Sequence, residues 1–198
     1  MKTVFFDVDT QIDFLFLAGA LYVPGGEQIV DNLSALTRFA AANRIQIIST
    51  ADAHTEDDAE FKTWKPHCVA GTVGQHKAGA TSLGTPLVLS TEAGAFEAVH
   101  ALVGDASQIL IEKQSLDCFT NRNLAPLLDA VRAQRYLVYG VVTELCVQCA
   151  ALGLLKTGAM VEVVTDAVKS LDNDKERAML ERFQAQGGVL TTAGAVMI

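Results

Sequence analysis

The stretch Tyr139-Gly-Val-Val-Thr-Glu-Leu-Cys146-Val-Gln-Cys-Ala150 decides how this chain is read. Tyr136 to Tyr139 is a short apolar run of the kind that forms a buried strand, and Leu145 to Lys156 is a longer one that suits a buried helix. Gly140 and Thr143 punctuate the change, with Thr143 predicted as the N-cap and Glu144 in the first helical turn. Cys146 is then expected in the first turn of a helix, just past the C-terminal end of a strand. A thiol in that position meets the positive end of the helix dipole, which favours thiolate. Open α/β sheets place their sites at this edge, and free N–H groups from Val142 to Cys146 could receive a developing oxyanion. Many free cysteines are only small apolar core residues, and Cys149, one turn deeper in the helix, reads that way. Cys146 differs only if the rest of the chain brings it a base and a pocket.

Working outward, strands alternate with helices. Thr3 to Val8 is β-branched and aromatic and reads as a central strand that delivers Asp9, followed by Gln11, Asp13 and Phe14. Ile29, Leu33, Leu36 and Ala40 recur at helical spacing over 27–42. Ile45 to Ser49 is a second strand, leading to Asp52-Ala-His54. Residues 51–87 are irregular and hold the only tryptophan, and a loop this long in a compact chain is usually functional. A short strand over Leu87 to Leu89 is compatible with the pattern there. Glu92 to Leu102 reads as a short helix and Gln108 to Ile111 as a strand ending in Glu112-Lys113. Thr120 or Asn121 is expected to cap a helix carrying Leu124, Leu127, Leu128 and Val131 on one face. Met160 to Val164 is a further strand ending in Thr165-Asp166. Asp172 caps a last helix through Gln186, with Met179, Leu180 and Phe183 inward, and Val189 to Thr192 is an edge strand. This alternation predicts an α/β fold in which a mainly parallel sheet has helices on both faces, and the 198 residues are expected to form one domain, 1–198.

Composition narrows the function. The net charge is -8 and no basic cluster is visible, which argues against nucleic acid as a partner. No apolar run reaches the about 18 to 20 residues of a membrane helix, and Met1-Lys-Thr-Val runs directly into a strand rather than a signal peptide. The four cysteines, at 68, 118, 146 and 149, do not resemble a disulfide framework, so a reducing, cytoplasmic setting is expected. Cys146-Val-Gln-Cys149 has redox spacing but lacks the small polar residues that expose such a pair. No glycine-rich nucleotide loop follows any strand.

Asp9, Asp52 with His54, Lys113, Cys146 and Asp166 all lie just past predicted strand ends, and in a parallel sheet these ends share one edge. Asp9 could take the thiol proton if burial raises its pKa toward neutrality; the alternative is an ordinary turn aspartate. Asp7, two residues earlier on the same strand face, is open to a supporting role. Lys113 could steady the charges of Asp9 and Cys146 or be a solvated loop lysine. Asp52, His54 and His67 are a candidate metal set with Glu60 as a possible fourth member, and such ligands suit zinc, iron or manganese. Phe14 and Trp64 could hold a flat substrate by stacking, or Phe14 could belong to the core.

With these residues in place, the chain resembles the isochorismatase-like cysteine hydrolases, most closely the nicotinamidase/pyrazinamidase branch. Asp9-Thr-Gln-Ile-Asp-Phe14 is similar to the family's Asp-x-Gln-x-Asp-Phe motif, and Asp52-Ala-His54 to its Asp-x-His. Trp64-Lys-Pro-His67-Cys-Val-Ala-Gly-Thr72 resembles Trp-Pro-x-His-Cys-x-x-Gly-Thr, Lys113 falls where the catalytic lysine is expected, and Gly140-Val-Val-Thr-Glu-Leu-Cys146 resembles Gly-x-x-Thr-Asp-x-Cys. The resemblance implies a three-layer α/β/α sandwich on a six-stranded, mainly parallel sheet, and a homo-oligomer, dimer or tetramer. It implies a divalent ion, zinc first and iron or manganese otherwise, on Asp52, His54, His67 and Glu60, binding a ring nitrogen or a water. It also implies a cis Val141–Val142 peptide, an oxyanion hole from the N–H groups of Val142 and Cys146, and a catalytic set of Asp9, Lys113 and Cys146. The implied reaction is hydrolysis of a small amide through a Cys146 thioester, as in nicotinamide to nicotinate plus ammonia. Three departures stand out: Glu60 occupies the place of a third metal-binding histidine, Leu145 that of a histidine, and Gln114-Ser-Leu-Asp-Cys-Phe-Thr120 differs from the usual wording. Another small amide, carbamoyl or ureide substrate, vinyl-ether hydrolysis of isochorismate, and a catalytically silent binding protein are the competing readings.

Overall fold

The computed structural model describes residues 1–198. Its centre is β1, Thr3–Val8, in which every residue after the first is buried. An alternating strand would leave one face polar; a strand apolar throughout needs cover on both faces, and a parallel sheet between two helical layers supplies it. Phe6 faces a core with α3 (Ala95–Val99), α4 (Leu124–Val131), α5 (Gln148–Leu155) and α6 (Asn173–Ala185). Phe5 faces the opposite core, with α1 (Ile12–Leu15), α2 (Val30–Ala42) and α7 (Ala193–Val196).

The remaining strands are β2 (Gln46–Asp52), β3 (Leu87–Leu89), β4 (Gln108–Lys113), β5 (Arg135–Val141), β6 (Met160–Lys169) and β7 (Val189–Thr191). They form one seven-stranded sheet in the order β3-β4-β2-β1-β5-β6-β7, with every neighbouring pair parallel. The six strands implied by resemblance are therefore corrected to seven, in the same three-layer α/β/α class. The edge strands β3 and β7 have only three residues each and lie where the sequence pattern placed short strands, over Leu87 to Leu89 and Val189 to Thr192.

The position of the functional edge follows from this order. The helix after β1 packs on one face of the sheet and the helix after β5 on the other, so the connections diverge between these neighbours and open a crevice at their C-terminal ends. Gly140 allows the two strands to meet there: its φ is 118°, and a Cβ would run into the Val8 carbonyl.

Three local expectations are corrected. Thr143 does not cap the helix: its hydroxyl donates to Glu176 at 3.2 Å, and the helix instead opens with a π turn, Thr143–Val147, preceded by Val142. Neither Thr120 nor Asn121 caps α4. Asn123 precedes it, while the Asn121 amide donates to the carbonyls of Leu89, Ser90 and Glu112 and ties two strand ends together. Asp166 is not at the functional edge. It lies inside β6, within the irregular stretch where pairing with β5 is interrupted, and its carboxylate accepts from the Ala193 N–H at 2.7 Å. Asp172 does cap α6, accepting from the N–H groups of Asp174 and Lys175.

Candidate active site

Four consecutive strands, β4-β2-β1-β5, each contribute one side chain at their C-terminal ends. Lys113 closes β4 and is paired in register with Asp52, which closes β2. Asp9 follows β1 directly. The chain leaves β5 through a cis Val141–Val142 peptide and enters the turn that carries Cys146. Asp9, Lys113 and Asp52 are 3 % exposed or less and Cys146 is 7 % exposed, so their charges meet away from bulk water.

Lys113 is the hub. Its Nζ lies 2.9 Å from Asp9 Oδ2, hydrogen-bonds Asp52 Oδ1 and sits 3.7 Å from Cys146 Sγ. Burial works against its charge, but the carboxylates of Asp52 and Asp9 outweigh burial and keep the ammonium charged well beyond its usual range. Burial also opposes ionisation of Asp52; the Lys113 ammonium overcomes it and holds that carboxyl far below the ordinary range. Asp9 goes the other way. Burial raises its pKa, with the Asp52 charge adding to it, and neither Lys113 nor the 2.6 Å hydrogen bond from Thr50 to its Oδ1 cancels the rise. Lys113 is shared between two carboxylates, and its Nζ lies nearer to Asp52 than to Asp9. Asp9 also adopts φ 49°, an uncommon backbone conformation for a residue with a side chain, of the kind found at functional sites.

Burial pushes the Cys146 thiol well up; Lys113 pulls it down, and the charges of Asp9 and Asp52 add to the rise. Burial thus opposes the thiolate that a helix N-terminus favours, which gives a base beside Cys146 its task. Asp9, Cys146, Val142, Phe14, Trp64, Glu60 and His67 line one cavity of about 110 Å³. Eleven of its fifteen lining residues are apolar, including Leu145, which the sequence marked as a departure from the family, and Leu21, Leu116 and Leu171, to which it gave no site role. Leu171 arrives from the loop after β6, held by Glu144, whose carboxylate accepts from the N–H groups of Leu171 and Asp172.

Asp52, His54 and His67 come together with one ligand atom from each inside a 4.8 Å span. His67 Nδ1 faces the Lys65 carbonyl at 2.7 Å, which can only accept, so the proton is on Nδ1 and Nε2 presents its lone pair. His54 Nδ1 faces the Asp58 carboxylate at 3.0 Å with the same result. Both Nε2 atoms then point at Asp52 Oδ2, from 3.8 and 3.7 Å, and His54 Nε2 is buried with no hydrogen-bond partner. Three electron-rich atoms converging in a buried space repel one another unless a cation lies among them, and partners on the outer nitrogens that fix both tautomers are what a metal site requires. The three residues fit a divalent ion. Glu60 stands outside this triad; it lines the cavity, and burial followed by the Asp52 charge raises its carboxyl. Asp58, four residues beyond His54, was missed, although its spacing from an Asp-x-His pair was a usable signal.

The isochorismatase domain matches residues 3–195. The chain is 28 % identical over 191 residues to the nicotinamidase/pyrazinamidase of Mycobacterium tuberculosis, covering 89 % of this chain and 91 % of that protein. Two other curated isochorismatase-family proteins match over shorter stretches, 122 and 85 residues, so the chain spans only 43 % and 39 % of their lengths. Among solved structures, the pyrazinamidase of Pyrococcus horikoshii in complex with zinc superposes with a TM-score of 0.80 at 26 % identity, covering 97 % of this chain and 99 % of that one. A protein of L. infantum in complex with nicotinate superposes with a TM-score of 0.77 at 25 % identity, covering 98 % and 93 %.

Proposed function

The chain belongs to the isochorismatase family, and on that premise we propose that it is a cysteine amidohydrolase that cleaves the C–N bond of a small carboxamide, nicotinamidase-like in its substrate. The observation that carries the proposal is the position of Lys113 Nζ, 2.9 Å from Asp9 Oδ2 and 3.7 Å from Cys146 Sγ, beside a mostly apolar cavity that both lower residues line. Relatives named as nicotinamidases and pyrazinamidases along nearly the whole chain support it.

In this mechanism Asp9 takes the Cys146 proton, and its raised pKa makes it a better base for the step. Sγ attacks the amide carbonyl, and the N–H groups of Val142 and Cys146 receive the oxygen as it gains charge. Asp9 then returns its proton to the amide nitrogen, the C–N bond breaks, ammonia leaves, and the acyl group remains on Cys146 as a thioester. Asp9, again ionised, removes a proton from water; the hydroxide expels the thiolate and the acid departs. Lys113 offsets the negative charge throughout. Phe14 and Trp64 flank the acyl group. Asp52, His54 and His67, with Glu60 in the lining of the same cavity, would hold a divalent ion that orients the substrate or a water as a Lewis acid. The same reading makes the protein a cytoplasmic homo-oligomer, and its four free cysteines suit a reducing compartment.

The test is ammonia release from nicotinamide, pyrazinamide, carbamoyl compounds and ureides, before and after chelation. We expect release from an aromatic carboxamide that falls when the metal is removed and returns with zinc. Release only from non-aromatic amides would keep the thiol chemistry and change the substrate; no release from any of them would overturn the proposal.

A further inference from the structure

A second buried ion pair lies beneath the proposed site and takes no part in the mechanism. Asp7, on β1, is fully buried, and the Lys77 side chain is 5 % exposed; Lys77 Nζ lies 2.7 Å from Asp7 Oδ2. Thr10 joins them, accepting from Lys77 at 2.6 Å and donating to Asp7 Oδ1 at 2.8 Å. Ser49 donates to Asp7 Oδ2 at 3.2 Å, and Gln108 donates to Ser49 and to the Thr81 carbonyl. Removing two charges from water costs more than their attraction reliably returns, and well-packed apolar residues can often replace such a pair without loss of stability. Stability is therefore a weak reason for charges here, and their location points to another.

Lys77 lies in a strap, residues 74–78, laid against residues 10–13, which follow Asp9 directly. Ala78 N donates to the Thr10 carbonyl at 2.9 Å, Ile12 N to that of His76 at 2.9 Å, and Asp13 N to that of Gly74 at 3.1 Å. Gln11 pairs with Lys77 as an antiparallel bridge. From that bridge the Gln11 amide reaches both sides: it donates to the carbonyls of Gln75 and Asp52, and accepts from the Asp52 N–H at 2.8 Å. One ion pair thus fixes the strap, the strap fixes residues 10–13, and those residues fix Asp9 on one side and the Asp52 backbone on the other.

We propose that the buried Lys77–Asp7 pair is a positioning pair, holding Asp9 and Asp52 at the distances the thiol chemistry needs rather than stabilising the fold. This rests on the amidohydrolase reading, and the test separates the two. The double variant Asp7→Leu with Lys77→Met replaces both charges by apolar groups of similar length. It is expected to unfold at the wild-type denaturant midpoint, to keep KM, and to lose about ten- to a hundred-fold in kcat, the scale of loss from a displacement of about 1 Å at a reacting group. Alkylation of Cys146 by iodoacetamide, which needs Asp9 but no amide substrate, should slow in parallel. Thr10→Val, which keeps the shape and removes only the bridging hydroxyl, should move both rates in the same direction by a smaller factor. Wild-type kcat and alkylation rate in the double variant would overturn the proposal, as would a double variant that does not fold, because the pair would then be structural. If the wild-type protein hydrolyses no amide, the parent reading fails while the alkylation rates still report on positioning.

Discussion

Thr50 donates to Asp9 Oδ1 at 2.6 Å, and this hydrogen bond favours the ionised carboxylate. Asp9 must be ionised to accept the thiol proton, so kcat/KM should fall as pH drops through the Asp9 pKa. Because burial raises that pKa, the acid limb should lie above the ordinary aspartate value of about 3.9. Removing the hydrogen bond in Thr50→Val favours the protonated form further, and the limb should move to higher pH. A pH–rate profile of the two proteins checks the sign; an unmoved or lowered limb would remove Asp9 from the base role. Residue chemistry was legible where residue type alone constrains it. Asp52, His54 and His67 converge as read, and Lys113 stands between Asp9 and Cys146. The burial that opposes ionisation of Cys146 was not legible, because helix position can be read from sequence but depth of burial cannot.

At the scale of elements, the approach of β1 to β5 rests on one residue without a side chain. Gly140 has φ 118°, and a Cβ there would collide with the Val8 carbonyl, one residue before Asp9. Gly140→Ala should therefore destabilise the protein by about 1–3 kcal/mol and lower activity beyond what the unfolded fraction explains, since Asp9 and the Cys146 turn lie on either side of the collision. Chemical denaturation with parallel rate measurements checks both parts; a variant of wild-type stability and rate would contradict them. The strands were readable because apolar runs bounded by turn residues recur along the chain, and Asp172 was readable as a cap because it precedes a helical pattern directly. Failures occurred where tertiary partners compete for the same group: Asn121 spends its amide on three carbonyls of neighbouring strand ends, and Thr143 turns to Glu176. The strand ending near Asp166 continues to Lys169 because it resumes pairing with β5 after its irregularity, which no local pattern reports.

For the whole molecule, the metal triad joins the end of β2 to the long loop that carries His67, so an ion bound there should stabilise the folded state by mass action. At a free zinc concentration about 100 times the Kd the gain is about 2.7 kcal/mol. Thermal unfolding with and without zinc should show a rise in Tm that His67→Ala abolishes; an equal rise in both proteins would place the ion elsewhere. The pocket wall belongs to this scale too. Leu116 and Leu171 come from distant loops, and only the assembled fold shows them beside Trp64. The central claim is that the acyl group of a small amide passes through Cys146, and mass spectrometry of protein quenched in acid during turnover of the best amide tests it most directly. The account predicts a mass gain equal to the acyl group on the peptide containing Cys146, and neither adduct nor ammonia from Cys146→Ala. Undiminished ammonia release by Cys146→Ala would contradict it.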